Sequence, residues 1–320
     1  MCRKPKTTNW SQYNKVLKDR GGLSIWICED FLESIQKKSH QDIHHKRGHP
    51  VVHPDQLIEL LLSIRYLFRL PLRQTIGFSE LLFPRLEIHF LLPHFSTLSR
   101  RGSDLGVKLD VKKRSGQAMD IAVDSTGLKV YGEGEWKTRQ HGVGKRRTWR
   151  KVHFGVSLQD FEICSVVVTT NDVHDSEAGC DLLDIIKDPL GKVYGDGAYD
   201  TQAFRRKVHE KGGIPIIPPR EDAILHLDKE DLEERNKAIE HIINRQNEGN
   251  SLKEARKDWK VYSGYHQRSK AETHMFRFKV IFGDKCQSRD FDNQATEIFI
   301  KSNLLNRFTR IGMPNIQKVA

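Results

Sequence analysis

Cysteine is scarce in this sequence, and its positions form no recognisable pattern. The five cysteines are odd in number and never stand in a C-x-x-C pair, so neither a disulfide framework nor a zinc knuckle is indicated. No apolar run approaches the roughly 18 residues that a membrane helix needs, and the basic N-terminus lacks the apolar core of a signal peptide. We therefore expect a soluble cytoplasmic protein with reduced thiols and no membrane partner.

Acidic residues are also outnumbered, since 42 Asp and Glu stand against 53 Lys and Arg, a formal net charge of +11. Such a balance favours a polyanionic partner, and nucleic acid is the commonest one. Residues 136–151 concentrate this charge, contain no acid and include two tryptophans, Trp136 and Trp149, among their cations. Phosphate contacts with base stacking compete here with a plain solvated loop. The residues that we assign to DNA binding in this run are Lys145, Arg146, Arg147, Trp149 and Arg150.

The N-terminal third is predicted to be helical. Apolar residues between 57 and 68 recur at three- and four-residue spacing, after a Pro-Asp start. A second helix is predicted from about Pro71, and Ser96 would cap a third that carries Arg100 and Arg101. Three short helices of this kind form either a helix-turn-helix unit, with both arginines on DNA, or a plain helical subdomain.

From residue 118 the pattern changes to that of strands. Residues 118–124 alternate apolar and polar side chains, and the strand is predicted to stop at Ser125, which places Asp124 at its C-terminal end. Asp196 follows another short strand, and each aspartate is either a turn-former or a ligand holder. The order strand, strand, strand, helix, strand, helix, strand predicts an α/β fold, a mixed sheet flanked by helices, with both aspartates at strand ends.

A stretch near the C-terminus brings four different functional groups to one predicted helical face. At about 100° per residue, the four fall within an arc of about 60°. Alone, this pattern fits either an exposed face with an ordinary ion pair or a functional site. The four residues are Tyr265, Arg268, Glu272 and Lys279.

Three carboxylates can meet if the two strands are neighbours. A helix carrying Glu272 would then add a third acid to Asp124 and Asp196, and clustered carboxylates repel one another unless a cation neutralises them. Oxygen ligands match Mg²⁺ or Mn²⁺. Two such ions about 3.5–4 Å apart perform in-line phosphoryl transfer on DNA or RNA. Arg268 and Lys279 would hold the flanking phosphates.

These residues resemble the DDE transposases of bacterial insertion sequences. The spacing of the C-terminal stretch matches the YREK signature of that family at every position, as Tyr265-x2-Arg268-x3-Glu272-x6-Lys279. Two further segments resemble the family's first and second catalytic aspartate motifs, Asp124-Ser-Thr-Gly and Asp196-Gly-Ala-Tyr. Segments around residues 9–14, 70–74 and 96–101 are similar to insertion sequence family five, so the resemblance spans nearly the whole chain.

The resemblance implies a ribonuclease H-like catalytic domain, metal-dependent cleavage at the ends of a mobile element, and strand transfer into target DNA. Asp124, Asp196 and Glu272 would be the catalytic residues and the ligands of two Mg²⁺ or Mn²⁺ ions. The partner would be double-stranded DNA, both the terminal inverted repeats and the target, bound by a DNA-induced homodimer that associates with the nucleoid. Tyr265, Arg268 and Lys279 would be auxiliary contacts to DNA or phosphate.

The expected organisation has three parts. Residues 1–110 would form the N-terminal helical DNA-binding region, residues 111–220 and 260–320 the catalytic domain, and residues 221–259 an exposed helical insertion. Two alternatives stay open, a two-metal DNA nuclease without strand transfer and a catalytically silent, transposase-derived DNA-binding protein. The three intact carboxylates argue against the silent protein.

Overall fold

The computed structural model describes residues 6–22, 53–88, 90–112, 116–130, 149–226 and 228–317. The chain divides into two compact units, residues 1–108 with 290–320 and residues 109–289. In chain order, the helices are α1 (Trp10–Asp19), α2 (Asp55–Phe68), α3 (Leu72–Arg85), α4 (Phe95–Asp104), α5 (Asp175–Ile185), α6 (Gln202–Glu210), α7 (Glu233–Asn247), α8 (Leu252–Tyr262), α9 (Ser269–Phe282) and α10 (Phe291–Ile311). The strands are β1 (Lys6–Thr7), β2 (Met119–Val130), β3 (Trp149–Ser157), β4 (Ile163–Thr170), β5 (Leu190–Tyr194), β6 (Ile214–Ile216), β7 (Lys285–Cys286) and β8 (Ile316–Gln317).

The unit of residues 109–289 is built around one mixed sheet. Its strand order is β4-β3-β2-β5-β6, and β7 pairs with the far end of β2. The pairs β2-β3 and β3-β4 are antiparallel, whereas β5, β6 and β7 join in parallel. Helices pack against this sheet, which confirms the predicted α/β class.

One face of the sheet carries an apolar core. Met119, Ile121 and Val123 of β2 are fully buried, as their alternation predicts. They join a cluster with Leu182 of α5 and Phe204 of α6. The burial of these side chains fixes which residues of β2 face the other side, and Asp124 is among them.

Strand β2 is longer than predicted. The sequence places its end at Ser125, but the strand continues to Val130, so Asp124 lies in its middle. The turn prediction fails because residues 125–129 continue to pair with β3, and Gly127 lies against the ring of Trp149, where a Cβ would be 3.3 Å from that ring. A glycine in a strand commonly marks such a close approach.

The unit that contains the N-terminus is helical, as predicted. Leu57, Leu61 and Ile64 are buried along α2, and α2, α3 and α4 contact one another. Arg69, with φ of 55°, ends α2 in the left-handed conformation common at helix C-termini, and Pro71 directly precedes α3. The short strands β1 and β8 pair antiparallel within the same unit.

Helix α10 differs from the predicted division of the chain. The sequence assigns residues 260–320 to the catalytic domain, whereas residues 290–320 group with residues 1–108. The helix packs against α2 and α4, and it buries the ion pair Glu297–Lys301, whose charged atoms are 2.5 Å apart. In a sequence, a pair of charged residues that is buried in a core cannot be told from a pair on a solvent-exposed helix face. Among the described residues, neither this helix nor any other is long and apolar enough to cross a membrane.

The segment expected to be an exposed insertion has a small core of its own. Helices α7 and α8 pack together, and Ile216 and Tyr265 pack against the cluster that they form. The segment therefore supports the element that carries Tyr265 instead of projecting freely. The residues that it buries are Ala238, Ile242, Ala255 and Trp259.

Candidate active site

Asp124 lies in the middle of β2 with its side chain only 14% exposed. Its Oδ1 accepts a hydrogen bond of 2.9 Å from the N–H of Ser125, and its Oδ2 accepts one of 2.8 Å from Nη1 of Arg268. Burial raises the pKa of Asp124, whereas Arg268 and the amide of Ser125 lower it. The carboxylates of Asp196 and Glu272 are near enough to raise it again. Asp124 thus lies in an environment that favours a counter-cation.

Arg268 joins two of the predicted carboxylates. Its Nη1 bonds Asp124, which is 144 residues earlier in the chain, and its Nη2 donates to Oε1 of Glu272. Burial alone would lower the pKa of Arg268, but Tyr265 and the surrounding carboxylates outweigh it and the pKa is raised. One guanidinium therefore neutralises a strand carboxylate and a helix carboxylate together.

Helix α9 reaches this place because its apolar face covers the sheet. Ala271 and Phe278 are fully buried, and the ring of Phe278 lies 5.4 Å from that of Phe154 on β3. Phe154 pairs with Asp124 across β2 and β3, so both project from the same face of the sheet. The helix that carries Glu272 thus lies over the face that carries Asp124.

Asp196 lies beside Asp124 through strand pairing. Ala122 of β2 pairs with Tyr194 of β5 in a parallel register, and each aspartate follows its paired residue by two positions. Asp196 also precedes a 3₁₀ turn, and its Oδ1 accepts a hydrogen bond of 2.8 Å from the N–H of Ala198. The turn therefore fixes the orientation of the Asp196 carboxylate.

The predicted helix from Tyr265 to Lys279 is divided in two. Residues Tyr265–Arg268 form a 3₁₀ turn, and the α-helix begins only after it. Gly264, with φ of 70°, separates α8 from this turn in a conformation that glycine adopts without strain. Within α9, Lys279 lies two turns beyond Glu272, about 10 Å along the axis.

The ring of Tyr265 is packed between the insertion and Arg268. Its centroid lies 6.0 Å from that of Trp259, and the guanidinium of Arg268 lies 5.9 Å from the same ring. Burial raises the pKa of Tyr265 to about 12, against the lowering effect of Arg268. The phenol therefore keeps its proton at neutral pH and can donate a hydrogen bond.

Comparison with known families agrees with this arrangement. Two family models, both described as a transposase DDE domain, match residues 115–307 and residues 18–133. The first covers more than half of the chain and includes all three carboxylates. The chain belongs to the DDE transposases. It is a phosphoryl-transfer enzyme that acts on DNA, and its mixed sheet with flanking helices is consistent with the ribonuclease H-like fold of that family.

DDE transposase domains generally use divalent metal ions, and the donor chemistry of this site fits one. Carboxylate oxygens are the ligands that Mg²⁺ and Mn²⁺ prefer. In the part of the chain that the structure describes, however, no group of three or more His, Cys, Asp or Glu residues lies close enough to hold a metal ion. The guanidinium of Arg268 lies between Asp124 and Glu272, so the transposase supplies its own cation there.

The two arginines of α4 have different surroundings. Arg101 donates from Nη1 to the carbonyl of His53 at 3.0 Å and pairs through Nη2 with Asp55. It therefore ties α4 to the start of α2, which its position in sequence does not reveal. Arg100 is exposed on α4, as a DNA contact requires.

The basic run is described only in part. Lys145, Arg146 and Arg147 lie outside the described residues. Trp149 and Arg150 begin β3 and are half-buried, and the ring of Trp149 covers a glycine of β2. Trp149 therefore packs against the sheet, and its contact with DNA stays a prediction.

Sequence reasoning missed a buried charged cluster next to Asp196. Asp200 directly precedes the residue that caps α6, which is Thr201, whose side chain accepts the N–H of Phe204 at 3.3 Å. Asp200 instead pairs with Arg205 on the buried face of α6. Arg205 shares the buried face of α6 with Phe204 and Val208, and this position was the available signal, since a charged residue there needs a buried partner.

Proposed function

We propose that this transposase cleaves DNA at the ends of a mobile element and transfers the freed strands into target DNA, with Asp124, Asp196 and Glu272 as its catalytic metal ligands. The observation that carries the proposal is the guanidinium of Arg268, which bonds both Asp124 and Glu272. Two carboxylates from distant parts of the chain thus meet at one cation. The parallel register of β2 and β5 supports Asp196 as the third member.

The proposed cofactor is a pair of Mg²⁺ or Mn²⁺ ions. When bound, such a pair would activate an attacking water or 3′-hydroxyl and would stabilise the leaving oxygen. The amide of Ser125 fixes one oxygen of Asp124, and the turn fixes one oxygen of Asp196, whereas Arg268 would have to release Asp124 before an ion binds. Glu272, half-exposed on α9, is free to adjust its rotamer.

The remaining signature residues are proposed to bind DNA. Arg268 would exchange its carboxylate partners for a phosphate beside the scissile bond, because a guanidinium binds phosphate in the same bidentate way. Lys279 would hold a phosphate farther along the strand, since it lies two helical turns away. Tyr265 would donate a hydrogen bond from its hydroxyl group to the DNA backbone.

We also propose that α2, α3 and α4 bind the terminal repeats. The exposed residues along α4 include Ser96, Ser99 and Arg100 at three- and four-residue spacing, which gives one small, polar, basic face. A face of this kind suits a groove or the phosphates that line it. The same proposal includes four further points. The protein belongs to insertion sequence family five, its C-terminal stretch acts as the YREK signature, it dimerises on DNA, and it associates with the nucleoid.

The test is alanine substitution of each carboxylate in turn. Asp124→Ala, Asp196→Ala and Glu272→Ala should each reduce Mg²⁺-dependent cleavage by about 10²-fold or more, because several kcal/mol of transition-state stabilisation is lost. Binding to the element ends should stay within a few-fold of the wild type. Asp181→Ala, an exposed aspartate on α5, is the matched control. Full activity in any of the three variants would refute the metal assignment.

A gel assay that pairs the element ends with a supercoiled target separates the remaining functions. Joined product identifies a transposase that completes strand transfer. Free ends without joined product would support the nuclease, and binding without cleavage in either Mg²⁺ or Mn²⁺ would support the silent DNA-binding protein.

A further inference from the structure

A buried ion cluster lies four residues after Asp196. The side chains of Asp200 and Arg205 are 2% and 1% exposed. Nε of Arg205 donates to Oδ1 of Asp200 at 3.0 Å, and its Nη2 donates to the carbonyl of Ile217 at 3.1 Å. Each charge is thus paired and hydrogen-bonded, as burial requires.

A second arginine reaches the other oxygen of the same carboxylate. Oδ2 of Asp200 accepts from the backbone N–H of Arg220 at 3.2 Å and from Nε of Arg235 at 3.4 Å. Arg235 belongs to α7 of the insertion, and its Nη1 also donates to the carbonyl of Ile224 at 2.7 Å. One carboxylate therefore joins the turn after β5, helix α6, the loop after β6 and the insertion.

Asp200 is directly connected to the turn that orients Asp196. Its N–H donates to the carbonyl of Gly197 at 3.2 Å and closes the 3₁₀ turn, and Asp196 caps the other end of that turn. A shift of Asp200 therefore moves the backbone that holds the Asp196 carboxylate. Arg205 alone can compensate the buried charge, so Arg235 adds a constraint on position.

We propose that Arg235 is a positioning residue, which acts through Asp200 and the 3₁₀ turn to hold Asp196 in place for metal binding. The insertion would thereby serve the catalytic site without contacting the reacting atoms. This inference rests on the proposed function, since it takes Asp196 as a metal ligand. A metal ligand must be held within about 0.5 Å of its working position, which is the precision that a buried hydrogen-bonded clamp provides.

The experiment compares Arg235→Gln with Arg245→Gln in the full chain. Arg245 lies on the same helix and forms half-exposed ion pairs with Glu248 and Asp258, so the control removes the same charge. Mn²⁺ binding is measured by calorimetry without DNA, and cleavage is measured across a Mn²⁺ titration. We expect Arg235→Gln to bind Mn²⁺ about tenfold more weakly. Its cleavage rate should approach that of the wild type at saturating Mn²⁺.

Two further variants keep the test decisive. Arg235→Lys keeps the charge but lacks the planar fork, and it should weaken Mn²⁺ binding by an intermediate factor even if the glutamine variant is too unstable to measure. Asp196→Ala reports on the proposed function itself. The inference about Arg235 would be overturned, and the metal assignment kept, if Arg235→Gln or Arg235→Lys bound Mn²⁺ as tightly as the wild type while Asp196→Ala bound it more weakly. Unchanged Mn²⁺ binding in Asp196→Ala would instead overturn the metal assignment.

Discussion

Replacing Arg268 by glutamine should destabilise the catalytic unit and make its stability depend on divalent cations. The variant removes the 2.8 Å bond to the largely buried Asp124, and a hydrogen bond to a charged group contributes about 1.5–3 kcal/mol. The contact with Glu272 is more exposed and contributes about 1 kcal/mol at most. The free energy of unfolding should therefore fall by about 1.5–4 kcal/mol, which lowers Tm by roughly 3–16 °C for a unit of this size.

The assay is thermal unfolding in chelator and then in millimolar Mn²⁺. Lys279→Gln is the matched control, because it also removes one positive charge, from α9 at a position two turns beyond Glu272. In Mn²⁺, Arg268→Gln should gain more stability than the wild type, since its carboxylates lack the competing guanidinium. The gain measures how far the arginine and the ion compete for the same oxygens.

Two results would refute this reasoning. Equal Tm values for Arg268→Gln and Lys279→Gln in chelator would mean that the bridge between Asp124 and Glu272 contributes nothing. An equal Mn²⁺ gain in all three proteins would mean that Arg268 does not occupy a cation position.

Three other predictions concern the scaffold around the site. Burial lowers the pKa of His274 to about 3, so between pH 6.5 and 5 only the unfolded chain takes up its proton, and stability should fall by up to roughly 1.4 kcal/mol per pH unit. His274→Leu should flatten the urea-unfolding profile over this range, and parallel profiles would contradict the assignment. Gly155→Ala should lower the free energy of unfolding by about 1–3 kcal/mol, because its Cβ would lie 2.3 Å from Oγ of Ser165. Adding Ser165→Ala should recover most of that loss, and no recovery would mean that the strand itself has shifted. Phe278→Ala should lower the free energy of unfolding by about 3–5 kcal/mol, whereas Phe276→Ala, at an exposed position, should lower it by less than about 0.5 kcal/mol. Equal losses in the two variants would exclude Phe278 as the residue that anchors α9 to the sheet.

Local patterns in the sequence predicted the parts of the fold that depend on neighbours along the chain. The alternation from Met119 predicted the buried face of β2, and the four-residue spacing of Arg268 and Glu272 predicted their contact. The bond from Arg268 to Asp124 could not be predicted from spacing, because it depends on strand order and on where α9 packs. The length of β2 also escaped prediction, since it depends on pairing with β3, which begins about 20 residues after β2 ends.

Charged residues were the main source of error, because a sequence pattern treats each ionisable side chain as exposed. Glu297–Lys301 and Asp200–Arg205 are fully paired and buried, with side chains no more than 2% exposed. The proposed site differs in a physical respect. Exposure rises from 14% at Asp124 to 55% at Glu272, so its charges reach from the core of the sheet to solvent. An ion pair that is buried on all sides cannot exchange its partner with solvent. A cluster that is exposed on one side can release its arginine to a phosphate and accept an ion in its place. This difference in access to solvent, and not the number of charges, separates the proposed site from the structural ion pairs.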